Sequence, residues 1–181
     1  MLSQSFYQRS DTLQVARELL GKQLITKFDG CTGGIITEVE AYLGAEDKAC
    51  HAYGHRKTKR THIMFEPGGV AYVYLCYGMH HLFNIVTHGS EPHAILVRAI
   101  KPTIGIDLMT KRRKNKKPLT GGPGTLSQAL GITTAHTGLS LQGPHIWLEE
   151  GIEPKAFTAS PRIGIAYAGD HAHLPYRFCL L

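Results

Sequence analysis

Apolar residues recur along this chain at two spacings, and the spacings predict its elements. In "SDTLQVARELLGKQL", Leu13, Ala16, Leu19 and Leu20 fall on one stripe of a helix, with Ser10 or Asp11 as its cap and Gly21 as its end. "KQLITKF" reads as a strand that turns at Asp29–Gly30 into a second strand carrying Glu38 and Glu40. Three more strand-like runs follow, "GVAYVYLCY", "HLFNIVTH" and "AILVRAIKP", separated by Tyr77-Gly78-Met79 and by "GSEPH". "TIGIDLMTKRRKN" predicts a short helix ending in cations, and "GPGTLSQAL" another that opens at a glycine–proline turn. Late strands are predicted at "HIWLEEG", "RIGIAYAG" and "YRFCLL". No repeat, low-complexity tract or linker-like break interrupts residues 1–181. The expected fold is one α+β domain, a curled and mostly antiparallel sheet with several short helices. A chain of 181 residues can bury a core of that kind without staples.

Period-two alternation then exposes a chemical problem. In "ITEVEAYLG", Thr37, Val39 and Ala41 point one way, and Glu38, Glu40 and Tyr42 the other. The solvent side of an antiparallel sheet could look like this, and so could a catalytic face. Arg98, inside the apolar run "AILVRAI", is costly to bury unless a carboxylate or phosphate meets it, and Glu38 or Glu40 is the natural partner. In "AYVYLCYGM", Tyr72 and Tyr74 face one way while Tyr77 sits at the turn. Such rings serve equally as core packing or as stacking surfaces for bases.

Charge narrows the choice. The chain carries +6, and the sign favours a polyanionic partner. "HRKTKRTH" contributes Arg56, Lys57, Lys59 and Arg60, and "KRRKNKK" begins with Lys111, Arg112 and Arg113. Either run could also be a solvated loop. Pro67 to Ser90 holds no Asp, Glu, Lys or Arg, but its histidines, Asn84 and Gly68–Gly69 break mark it as buried sheet rather than a membrane span. The start "MLSQSFYQRSD" lacks the pattern of a secretion signal, so the four cysteines are expected as free thiols in a reducing cytoplasm. His51 and His55 beside Cys50 would make a zinc site only with further ligands, and neither H-E-x-x-H nor P-C-x-x-C occurs, so no metal is expected.

Taken together, "TEVEAYLGAEDKACH", "MFEPGGVAYVYLCYGMHHLFNIV", "ILVRAIKP" and "GGPGTLSQALGI" resemble the alkyladenine (3-methyladenine, or methylpurine) DNA glycosylase family, in order and spacing, from about Phe6 to Phe178. The resemblance implies a DNA repair enzyme. Such an enzyme flips alkylated or deaminated purines of the 3-methyladenine, 7-methylguanine and hypoxanthine class out of duplex DNA. It then hydrolyses the N-glycosidic bond with a carboxylate-activated water, leaving an abasic site. By that resemblance Glu40 is matched to the general base and Arg98 to the arginine beside the water. Tyr42, His51 and Tyr74 are matched to the residues around the flipped base, Asn84 to the one that crowds the 2-amino group of guanine, and Tyr77 to the wedge left in the duplex. Gly122 and the cations of both basic runs are expected along the DNA backbone. The family pattern implies no cofactor, no membrane and a monomer, bacterial and nucleoid-associated, or nuclear if eukaryotic. The chain departs from relatives at Thr125, where they often carry lysine, at His80 and His81, and in the loop between Asn84 and Arg98. These departures bear on binding strength and substrate range rather than on the residues matched to the chemistry.

Overall fold

A computed structural model describes residues 1–181, and a long bent strand organises it. Asp29 and Gly30 adopt positive φ, which reverses the chain tightly between β1 (Gln23–Lys27) and β2 (Cys31–Tyr42). One edge of β2 pairs antiparallel with β5 (His93–Ile104). The other edge changes partner, from β1 at Cys31–Ile35 to β8 (Arg177–Leu180) at Glu38–Glu40. With β3 (Ala71–Cys76), β4 (His80–Thr87), β6 (Ile146–Glu149) and β7 (Phe157–Ser160), the sheet runs β3-β4-β5-β2-β1-β6, and β7 is paired to β8. All the pairings are antiparallel. The charge-free stretch Pro67–Ser90 thus supplies β3 and β4, and no helix is long and apolar enough to cross a membrane.

Helices pack on one face of the sheet. After the single turn α1 (Gln4–Tyr7) comes α2 (Thr12–Leu19), where Asp11 rather than Ser10 caps the start by accepting from the Gln14 N–H at 2.9 Å. α3 (Ile106–Arg112) and α4 (Pro123–Leu130) follow, the latter ended by Gly131 in the left-handed conformation. Val15, Leu19, Met109, Leu126 and Leu130 meet Ile36, Val39, Ala41 and Val97 in one buried cluster. Val39 and Ala41 therefore face the core, and the Glu40 side of β2 faces away from it. A smaller cluster, including Cys50, Met64, Tyr72 and Ala94, supports that second face, with Tyr42 and Tyr74 packed against it. All four cysteines are free thiols.

One expected strand is absent. "RIGIAYAG" forms a loop that passes into 3-10 turns at Ala166–His173. Gly164 and Gly169 take positive φ there, which extended pairing does not allow. Both edges of β8, the next strand along the chain, are already occupied by β2 and β7. The segment instead closes over the polar face of β2.

Candidate active site

The bend in β2 is where the chemistry gathers. Pairing with β5 skips Thr37 on one strand and Arg98 on the other before the register recovers at Val39–Val97. Irregularities of this kind re-aim side chains, and Arg98 lies across the two carboxylates. Its Nε donates to Glu38 Oε1 at 2.8 Å, and its Nη1 sits 3.3 Å from Glu40 Oε1. Sequence alternation left Glu38 and Glu40 as alternative partners; the structure uses both. Arg177 reaches Glu38 as well, at 3.2 Å.

The two carboxylates differ in surroundings. Glu38 is partly exposed, but the Glu40 side chain is fully buried. Tyr42 Oη donates to Glu40 Oε2 at 2.8 Å, and the Ile163 backbone N–H donates to Oε1 at 2.8 Å. Burial, then the Glu40 charge, pushes the Tyr42 phenol well above its ordinary range, so it remains a donor. Burial works against the Arg98 charge, but Glu40 and Glu38 outweigh it, and the guanidinium stays protonated. A carboxylate offers about four lone-pair sites. Two hydrogen-bond donors and the Arg98 charge around Glu40 fix its plane and leave lone-pair capacity unused.

Above this pair lies a cavity of about 380 Å³, mostly apolar in its lining. Its walls include Tyr42, Tyr74, His51, Asn84, Tyr77 and Arg98, so the residues singled out from the sequence converge on one space. Tyr72 and Tyr74 do face one way, their rings 5.6 Å apart. The His51 ring stands edge-on to Tyr74 at 4.6 Å, with Nδ1 2.8 Å from the Tyr72 hydroxyl. Burial, with the Arg60 charge adding to it, lowers His51 to about 4, so the ring is neutral at pH 7. The Asn84 carboxamide is fixed by donating to the Tyr72 and Leu82 carbonyls at 3.1 and 3.2 Å.

Tyr77 stands at the mouth. The β3–β4 hairpin turns in two residues, closed by Met79 N–H to the Cys76 carbonyl at 3.1 Å. Tyr77 and Gly78 both take positive φ, 51° and 70°, as a type I′ turn requires. A tyrosine in that region costs of order 1–3 kcal/mol, and such strain gathers at functional sites. It holds a ring that is 88% exposed.

The basic runs separate. Arg56, Lys57, Lys59 and Arg60 are exposed beside the cavity, with Arg60 in its lining and 5.9 Å over the Tyr74 ring. Lys111 is exposed too, but Arg112 and Arg113 turn inward. Arg112 donates to the carbonyls of Phe28 and Ala129 and to the Thr32 hydroxyl, while Arg113 is buried against Gln128 and Pro118. These two arginines clamp α3 and α4 to the sheet, which corrects their expected place along a DNA backbone. Gly122 caps α4 without a side-chain partner, and Gly124 lies against His80 at the foot of the Tyr77 hairpin.

Sequence reading missed the loop side of the cavity. Ile163, Ile165 and the 70%-exposed Tyr167 line it, and Tyr167 Oη donates to the Ala49 carbonyl at 3.1 Å. Asp47 and Arg162 form a buried pair behind it. One signal was available: Arg162 stands in an apolar run, as Arg98 does. His51 and His55 do not gather further ligands, and nowhere do three or more His, Cys, Asp or Glu side chains assemble as a cation site.

The slot is mostly apolar, with aromatic walls and a buried carboxylate–arginine pair at its base. Comparison with known proteins supplies the class of reaction. A family model described as methylpurine-DNA glycosylase matches residues 5–181. A provisionally named 3-methyladenine DNA glycosylase of Chlamydia felis is 50% identical over 187 residues, covering 99% of this chain and 96% of that protein. Proteins given the same provisional name in Chlamydia abortus and Bacillus cereus are 50% and 48% identical, covering 99% and 96% of this chain and 98% and 92% of their own. The chain belongs to the methylpurine-DNA glycosylase family, and its reaction is hydrolysis of N-glycosidic bonds in DNA.

Proposed function

We propose that this enzyme rotates a damaged purine out of the duplex into the tyrosine-walled cavity and releases it with a water activated by Glu40. The observation that carries the reading is the buried Glu40–Arg98 pair opening onto that cavity. A purine inside a duplex is out of reach of any such pair, and unstacking it costs a few kcal/mol, least for a damaged or mispaired base. Tyr77 fills the gap left behind. Stacking on Tyr42 and Tyr74 returns about 1–3 kcal/mol per good contact.

The substrate class follows from charge. Alkylation at N3 or N7 makes a purine cationic, and the faces of Tyr42 and Tyr74 attract it by about 0.5–2 kcal/mol once water is excluded. 3-Methyladenine and 7-methylguanine, already good leaving groups, need little proton donation, and hypoxanthine fits the same slot by shape. Bond cleavage leaves an oxocarbenium-like sugar. Glu40 stabilises that charge and takes a proton from the attacking water, while Arg98 holds carboxylate and water in register. Asn84 crowds the 2-amino edge that distinguishes guanine. No lysine lines the cavity to form an imine with the sugar, so the enzyme is a monofunctional glycosylase; it acts as a monomer, as the family resemblance implies. Arg56, Lys57, Lys59, Arg60, Lys111 and the start of α4 at Gly122 hold the backbone.

Glu40→Gln tests this. A positioned general base contributes about 10²- to 10⁴-fold, so single-turnover release of 3-methyladenine falls by that factor while duplex affinity stays within threefold. Release at the wild-type rate removes Glu40 from the chemistry.

A further inference from the structure

A second buried ion pair lies behind the cavity wall, and no role has been given to it. The Arg162 side chain is 0% exposed and that of Asp47 2%. Breaking such a pair is destructive, but replacing it by apolar residues is often neutral or stabilising, so stability alone is a weak reason to build one. Its contacts are orienting ones.

Three walls of the cavity pass through this pair. The guanidinium lies 4.7 Å over the Tyr42 ring and 5.3 Å over that of Tyr176, and it does not line the cavity, so it backs Tyr42 from the protein side. Nη1 donates to the Ala41 carbonyl at 2.8 Å, beside Tyr42 in β2, and Nη2 donates to the His171 carbonyl at 3.3 Å. Nη2 also donates to Asp47 Oδ1 at 2.9 Å, and Nη1 to Oδ2. Asp47 accepts from the Leu43 and Ala49 N–H groups at 3.1 and 3.0 Å, which shapes the loop leading to His51. The residue after Arg162 presents its N–H to Glu40 Oε1.

We propose that Arg162, held by Asp47, is a positioning residue for the glycosylase reaction: it sets the Tyr42 ring and the Ile163 N–H, and through both the plane of the Glu40 carboxylate. Arg162 touches neither base nor water. It acts by bringing a strand and two loops to one point with a planar fork, a geometry that lysine cannot reproduce.

The test uses the full chain and a duplex holding one 3-methyladenine or one hypoxanthine. Small misplacements of a catalytic group cost about 10²-fold, so Arg162→Met lowers the single-turnover rate by tenfold to a hundredfold while affinity for undamaged duplex stays within threefold. In a Tyr42→Phe background, where the hydroxyl that Arg162 positions is gone and only the Ile163 N–H route remains, the same substitution costs a smaller fold-loss than in the wild-type background. A folded Arg162→Met enzyme within twofold of wild type overturns the proposal, as does an equal fold-loss in both backgrounds. Should circular dichroism show Arg162→Met unfolded, Arg162→Lys carries the test, with a fall of about tenfold expected and an unchanged rate overturning it.

The inference rests on Glu40 as the base, and Glu40→Gln assayed alongside separates the two. An active Glu40→Gln removes the mechanism itself. An inactive Glu40→Gln beside a fully active Arg162→Met removes only the positioning role.

Discussion

The two halves of the cavity are built on different principles. One half comes from the sheet: Glu40, Tyr42, Tyr72, Tyr74, Asn84 and Arg98 sit on β2, β3, β4 and β5, held by ladder pairing. The other half comes from loops: Ala49, His51, Ile163 and Tyr167 are held by side chains that reach across the fold, among them Asp47, Arg162 and the Tyr167 hydroxyl. The sheet half gives Glu40 and Arg98 fixed directions. The loop half adds the last donor to Glu40 and closes the slot. Glu40 and the exposed Tyr77 ring are local features of a strand and a hairpin, whereas the orientation of the Glu40 carboxylate is a long-range one.

The largest expected effect lies in the sheet half. Arg98→Met leaves Glu40 buried without its counter-charge, and breaking a buried pair costs about 3–5 kcal/mol. Chemical denaturation measures the loss directly, and base release falls with it. A cost under about 1 kcal/mol would mean that the Tyr42 hydroxyl and the Ile163 N–H satisfy Glu40 without a counter-charge.

A smaller effect is expected from the loop half. Gly164 takes φ 75° and a Cβ there meets nothing within 4 Å, so Gly164→Ala reports backbone strain alone. That strain is about 1–2 kcal/mol. It loosens the Ile163 N–H and slows release by roughly tenfold or less at unchanged duplex affinity. A loss as large as that of Arg98→Met would erase the distinction between the halves.

The remaining effect is the smallest at neutral pH, where it is silent. His51 is lowered to about 4 by burial, and a free histidine titrates at 6.5. Between those values the unfolded chain binds the proton more readily than the folded one. The stability contributed by neutral His51 is therefore complete above pH 6.5 and is lost as pH falls toward 4. His93 is lowered to about 4 by burial and then by His88, and acts in the same direction. Denaturation midpoints at pH 7.5, 5.5 and 4.5 measure the decline, and His51→Gln should flatten it. An NMR titration that placed His51 near 6.5 would instead show the ring wetted and the loop half open.

Much of the sheet half was legible in the residues. Alternation put Glu38, Glu40 and Tyr42 on one side of a strand, and the cost of burying a guanidinium sent Arg98 to them. The pair Tyr77-Gly78 marked a tight turn because positive φ is needed there. The opening helix, the turn at Asp29–Gly30 and the succession of antiparallel strands follow from equally local rules.

Local rules could not tell which cations stay in solvent: "HRKTKR" does, while Arg112 and Arg113 of "KRRKNKK" find carbonyl and side-chain acceptors on other elements. Nor could they see that "RIGIAYAG", apolar enough for a strand, takes positive φ at Gly164 and Gly169 and folds over the site. The sequence alone determined most of the strands, the tight turns and the candidate groups for the chemistry, but neither β7 nor the loop at "RIGIAYAG", because propensity and alternation act over a few residues. Only the tertiary structure decided how Glu40 is held and which arginines are structural. Those outcomes depend on partners on other elements, more than a hundred residues away along the chain for Ile163 on Glu40 and Arg162 on Asp47.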